Sequence, residues 1–203
     1  MFRKNRIFKY ILSLRRFILL AVLIFIFSAL YGYFSAQNSP EEIEPLLEEL
    51  QKIVEPIIAM PLFGQFLFVI LNNGLTVFLI IVLGLGFAVF PLLVLFSNAV
   101  LLGVMAYFFQ FFRSWTVFFS GILPHGLIEI PIIIMAAAVG LKLGGISIKK
   151  VLRRFRPQPL QPAGEETDLK AELEAALNFF LKFLFPLLIL AAAVEIFVPS
   201  RFL

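Results

Sequence analysis

The sequence predicts an all-α protein: a polytopic bundle of about five membrane-spanning helices, N-in and C-out, with a short external amphipathic helix. Three observations carry this. Apolar residues make up 61% of the 203 residues, against about 45–50% in soluble domains. They fall into runs far longer than the roughly 9–11 residues of a membrane barrel strand. The charged residues are sorted into blocks between those runs. With 26 Phe and only 13 Asp plus Glu, the chain reads as one membrane domain over 1–203, with no separate soluble domain. Cysteine is absent, which removes any disulfide framework or thiolate metal site.

The first element follows a basic cytoplasmic N-terminus, 1–16, with Arg3, Lys4, Arg6, Lys9, Arg15 and Arg16. From Phe17 to Phe34 the chain is apolar. A signal peptide has the same order of charge and then apolar core, but its core is about 7–15 residues. This run is longer and reads as an uncleaved first span.

Segment 37–61 is acidic, with Glu41, Glu42, Glu44, Glu48, Glu49 and Glu55 against Lys52. Ser39 suits an N-cap, Pro40 the first helical position, and acids follow in the first turn. Leu46, Leu47, Leu50, Ile53, Val54, Ile57 and Ile58 recur at three and four, which is one apolar stripe. The segment is expected to lie on the membrane face, to cover the bundle, or to dock a partner.

Phe66 to Phe112 is too long for one helix and needs a break near Gly84, Gly86 and Pro91. Arg113 and Trp115 close its second half with a charge and an interface aromatic. Thr116 to Leu123 is apolar but short, a re-entrant half-helix or an extension of its neighbour. Pro124 opens the next span, to about Leu143. Segment 142–170 is a cytoplasmic loop, first basic (Lys142, Lys149, Lys150, Arg153, Arg154, Arg156) and then Pro-rich. Asp168 caps a last helix that is polar at first and fully apolar from Phe179 to Val198.

Orientation follows from the Lys and Arg residues. With the N-terminus in the cytoplasm, only Lys52, Arg113 and Arg201 of the 17 face outward. The positive-inside rule therefore predicts a multi-pass protein of the cell membrane, N-terminus cytoplasmic and C-terminus external. Lys149, Lys150, Arg153 and Arg154 then stand where lipid headgroups are. They hug the membrane and no nucleic-acid module is present, so nucleic acid is not an expected partner.

Ionisable groups inside a span are functional candidates. Here these are His125 and Glu129, one turn apart in PHGLIE, and Glu195. Counting at about 1.5 Å per residue from Pro124 and Pro199 puts both acids roughly 6–8 Å below the outer helix ends. Asn73, eight residues in from Gln65, falls in the same half. Ala136, Ala137, Ala138 and Gly140, and Ala191, Ala192 and Ala193, let helices approach closely. Gly140 and Gly144 also form a small-xxx-small pair. Four readings of this polar layer follow: a satisfied network that fixes helix register, an ion or proton relay, a metal site on His125, Glu129 and Glu195, or a catalytic acid or base. The chain has no HExxH, GxSxG, P-loop or GxGD-type pair, and no cofactor is implied.

Four blocks in order resemble the stage II sporulation protein M family, which has many archaeal members. They are LNNGLTV, SNAVLLG, PHGLIE leading into AAAVGLKLG, and LAAAVEIFVPS. The resemblance covers most of residues 66–199. It directs attention to Asn73, Asn98, His125, Glu129 and Glu195, with no catalytic role attached. It also implies a non-enzymatic membrane anchor or scaffold, since in sporulating bacteria the resembling protein holds cell-wall-degrading enzymes during engulfment. Lipids, a protein partner and a second copy of the chain are the expected partners. The alternatives are an ion- or proton-coupled transporter or channel-like protein, and an intramembrane metal-dependent enzyme.

Overall fold

The computed structural model describes residues 2–112, 115–155 and 168–197. Helix α1 covers Phe2–Asn38, α2 Ile43–Ile58, α3 Leu62–Leu83, α4 Val89–Phe112, α5 Trp115–Phe155, α6 Leu169–Phe179 and α7 Phe185–Phe197. Five helical stretches are long and apolar enough to span a membrane: one each in α1, α3, α4 and α5, and one formed by α6 and α7 together. Leu19, Phe27, Leu71, Leu93 and Leu181 are among many large apolar side chains left exposed on them. Such a surface suits lipid and not water. The protein is a multi-pass membrane protein.

Four boundaries differ from the sequence reading, each for a physical reason. The first span is part of a longer helix, because the basic N-terminal turns contain no breaker. Trp115 opens α5 and does not close α4; Arg113 lies outside the described residues. Helix α5 begins nine residues before Pro124 and runs on through Pro124 and Pro131 as one helix. Each proline forgoes one backbone bond, which a membrane helix tolerates where its neighbours re-satisfy the freed carbonyl. The segment 116–123 is thus helical and continuous with the span. The basic stretch from Lys142 to Arg154 is likewise helix, not loop; the Pro-rich part, 156–167, lies outside the described residues.

The last span is a single rod interrupted by a π-helical turn at Phe180–Leu184. Pro186 follows two residues after its end. Its ring would clash with the carbonyl four residues back, and the widened turn accommodates it. Asp168 caps the rod through a bond from the Lys170 backbone N–H at 3.1 Å. Ser39 makes no such bond, and Pro40 instead starts a 3-10 turn, Pro40–Glu42, ahead of α2.

Helix α5 is the hub. It packs on α1, α3, α4, α6 and α7. In its most apolar stretch 56% of residues are buried, against 22–33% for the other spans. The run Ala136–Gly140 is buried as a block, because small side chains present a smooth face on every side. Glycines make two backbone approaches. A Cβ on Gly84 would lie 2.5 Å from the Gly140 Cα, and one on Gly140 2.5 Å from the Pro91 ring. Gly32 and Gly103 play the same part between α1 and α4, against the Val100 and Ala29 carbonyls.

The α3–α4 hairpin turns within Gly84–Ala88, where Phe87 (φ 59°) and Ala88 (φ 63°) are both left-handed. That region costs L-residues roughly 1–2 kcal/mol each. Gly144 lies against Ala88, 2.5 Å from its backbone N for an added Cβ. Gly140 and Gly144 are therefore used within the chain, to seat this hairpin on α5.

Candidate functional site

The site forms where α3 meets α5. Asn73 Nδ2 donates to Glu129 Oε1 at 2.5 Å, and Asn72 Nδ2 donates to Asn73 Oδ1 at 3.3 Å. Glu129 is buried, 7% exposed. Both bonded residues stand eleven positions before a glycine of the Gly84–Gly140 contact. Eleven residues is close to three turns at 3.6 per turn, or about 16 Å. Two helices running side by side therefore meet at glycines, and meet again on the same faces three turns away, through an amide and a carboxyl.

This spacing corrects the depth read from the sequence. Asn73 is eleven residues from Leu62 and ten from Leu83, so the pair lies near the middle of a span about 33 Å long. Because α5 starts at Trp115, Pro124 does not mark the start of the helix. A polar group at this depth has no water to bond and must find a protein partner. An Asn amide serves either state of a carboxyl, since it offers two donors and an acceptor.

The other singled-out residues fall as follows. Glu195 is half-buried on α7, which packs on both α3 and α5. On that helix Phe185 meets Gly74, and the Phe197 ring lies 5.3 Å from that of Phe66. Glu195 thus sits nearer the Phe66 end of α3 than Asn73 does. Asn98 stands apart from the pair: it is exposed on α4 and its amide donates to the Val94 carbonyl of its own helix at 2.8 Å. The side chain of His125 lies outside the described residues, and so does any metal set that includes it. Among the described residues no three His, Cys, Asp or Glu groups stand together as metal ligands. Lys149, Lys150, Arg153 and Arg154 are all exposed at the end of α5.

Toward the hairpin end, the layer beside the pair is apolar and dense. Ile80, Ile81, Ile132, Ala136, Ala137, Val139, Leu184 and Leu188 are all at most 2% exposed. Beyond it lies a second charged group that the sequence reading missed. Lys142 Nζ is 2.8 Å from Glu172 Oε1, with the two side chains 16% and 11% exposed. The same ammonium donates to Ser13 Oγ at 3.1 Å and lies 5.1 Å from the Tyr10 ring centroid. The Tyr10 and Phe179 rings are 5.2 Å apart. One lysine thereby ties α5 to α1 and α6. The signal was its position: Lys142 is the one charge inside AAAVGLKLGG, and grouping it with the basic block hid that.

A comparison with protein families matches residues 21–200 to the family described as Stage II sporulation protein M. The chain belongs to that family. The match takes in Asn73, Glu129, Lys142, Glu172 and Glu195, and begins after Tyr10 and Ser13. LNNGLTV and PHGLIE, two of the blocks that carry the family resemblance, are the two that the Asn73–Glu129 bond joins. No curated protein and no solved structure matched this family member.

Proposed function

We propose that the protein is a non-enzymatic membrane anchor and scaffold, with its N-terminus in the cytoplasm and its C-terminus outside. The observation that supports this reading best is the Asn73–Glu129 bond. It uses a buried carboxyl as one end of a helix-to-helix fastening, above a densely packed apolar layer. Glu195 adds a half-buried polar group on α7, toward the Phe66 end of α3. A bundle fastened in this way keeps its recognition chemistry at its two ends. At one end is the acidic face of α2, with Glu48, Glu49 and Glu55 exposed. At the other are the basic ends of α1 and α5, where Lys149, Lys150, Arg153 and Arg154 hold lipid phosphates. Membership of the family supports the same division, since the sporulation protein works by holding other proteins at the membrane. A photo-crosslinker at Gln51 in the native membrane tests it. A discrete adduct with one protein is expected, lost when Glu48, Glu49 and Glu55 are all changed to Lys while the protein level stays constant. Adducts no different from those formed at the lipid-facing Leu71 would contradict it.

One observation favours the alternative, an ion- or proton-coupled transporter: Glu129 is a buried carboxyl on the most buried helix, bonded to Asn73 at the middle of α3. That reading requires flux into liposomes that Glu129→Gln abolishes. Flux equal to that of empty vesicles for every ion tried removes it. Stoichiometric metal in the purified protein, lost in His125→Ala, would instead favour the metal-dependent enzyme.

A further inference from the structure

Helix α2 is attached to the bundle at both ends and bare along half its apolar stripe. At its start Ile43 is 5% exposed, packed with Ala36, Val104 and Tyr107 at the ends of α1 and α4. Leu46 and Leu50 are half-covered. Farther along, Ile53 is 60%, Val54 43% and Ile58 66% exposed. The stripe thus peels away from the protein as the helix proceeds. At the far end Gln65, in the first turn of α3, donates to the Ile58 and Met60 carbonyls at 3.0 and 2.9 Å. Only Ala59 to Pro61 separates α2 from α3.

The bare half is not isolated. It runs on into Met60, Leu62 and Phe63, at 38%, 58% and 65% exposed, and then into Leu67 and Leu71 on the outer surface of α3. Those last residues belong to a membrane span and face lipid. A helix joined by a three-residue link and two hydrogen bonds to the first turn of a span lies at the depth where that span begins. Sixteen residues make α2 about 24 Å long, enough to cross from the α1–α4 pair to α3 along the surface. The opposite face carries Glu48, Glu49, Gln51, Lys52 and Glu55, all exposed, with Gln51 donating to Glu55 at 2.7 Å.

We infer that α2 is an interfacial helix. Ile53, Val54 and Ile58 are sunk among the acyl chains of the adjoining leaflet, continuous with the lipid-facing side of α3, and the acidic face lies along the water. The occupant of the bare stripe is lipid. Burial of apolar area drives this seating, because an acidic face gains nothing from anionic headgroups. It does not depend on the scaffold reading, but it fixes what that reading has to offer: a carboxylate-rich ledge flat on the membrane, suited to a basic partner surface.

The cysteine-free chain makes the test direct. Single cysteines at Ile53, Val54 and Ile58, at Glu48 and Lys52, and at the reference site Leu71 are spin-labelled in the full-length protein in phosphatidylcholine vesicles. Collision with oxygen and with a water-soluble nickel chelate is then measured. All six positions are exposed, so the label displaces no packed neighbour, and an unchanged helical circular dichroism spectrum confirms the fold. The stripe positions are expected to match Leu71, with high oxygen and several-fold lower nickel collision than Glu48. Nickel collision as frequent as at Glu48 would place the stripe in water. Low collision with both reagents would place it against protein, such as a second copy. Either result overturns the inference.

Discussion

Asn73 of α3 and Glu129 of α5 are hydrogen-bonded, and each stands eleven residues before one of the two glycines, Gly84 and Gly140, at which the same helices touch. Three helical turns separate the two contacts on both helices. The small-residue contact sets the distance between the backbones. The polar contact sets their register, because a slip of one residue would rotate the amide about 100° away from the carboxyl.

The glycines give a sharp contrast. Gly140→Ala puts a methyl group against the Pro91 ring at 2.5 Å and the Ile80 carbonyl at 2.7 Å, so the α3–α4 hairpin must move. The expected result is a loss of roughly 1–3 kcal/mol, as for other overpacked sites. Gly145 has nothing within 4 Å of an added Cβ, and Gly145→Ala should stabilise by up to about 1 kcal/mol through helix propensity. Thermal unfolding of the two variants in one detergent checks the opposite signs.

Lys142 and Glu172 form a pair of low exposure, 16% and 11%. Removing one partner leaves a buried charge with less compensation, at a cost of about 3–5 kcal/mol. Lys142→Met alone should therefore lower the melting temperature more than the double replacement Lys142→Met with Glu172→Leu. Equal effects would mean that the charges do not compensate each other.

The hairpin turn places Phe87 at φ 59°. Glycine tolerates this conformation and alanine does not. Phe87→Gly and Phe87→Ala both remove the ring, so comparing them isolates the backbone. The glycine variant should be the more stable by about 1 kcal/mol, measured by unfolding in denaturant.

Orientation is tested in cells with single cysteines. A membrane-impermeant maleimide is expected to label Glu49→Cys in intact cells and Lys149→Cys only after permeabilisation. The reverse pattern would invert the topology.

Much of this was legible in the sequence because spans, breaks and charge blocks are local signals. The hairpin at Gly84–Ala88, the Asp168 cap and each block of the family resemblance rest on residues near one another in the chain. The start of α5 was not legible. Pro124 looks like a first helical residue, and whether a membrane helix passes through a proline depends on neighbours that the local sequence does not name. Depth depends on the same point, since counting from Pro124 sets Glu129 too near the end of the helix. Its bond to Asn73 pairs residues 56 apart, and sequence alone could place them only in one half of the membrane. Asn98 looked equivalent to Asn73 by type, but its face of α4 is exposed and its amide bonds its own helix. Lys142 was hidden by its basic neighbours, although they are exposed and it is not.

The central claim is that Asn73 and Glu129 fasten α3 to α5. A double-mutant cycle with Asn73→Leu, Glu129→Leu and the pair, followed by unfolding in bicelles, measures it most directly. A favourable coupling energy of about 0.6 kcal/mol, and at most about 1.7, is predicted, the average and the maximum for hydrogen bonds between membrane helices. Additive single effects, with zero coupling, would contradict it.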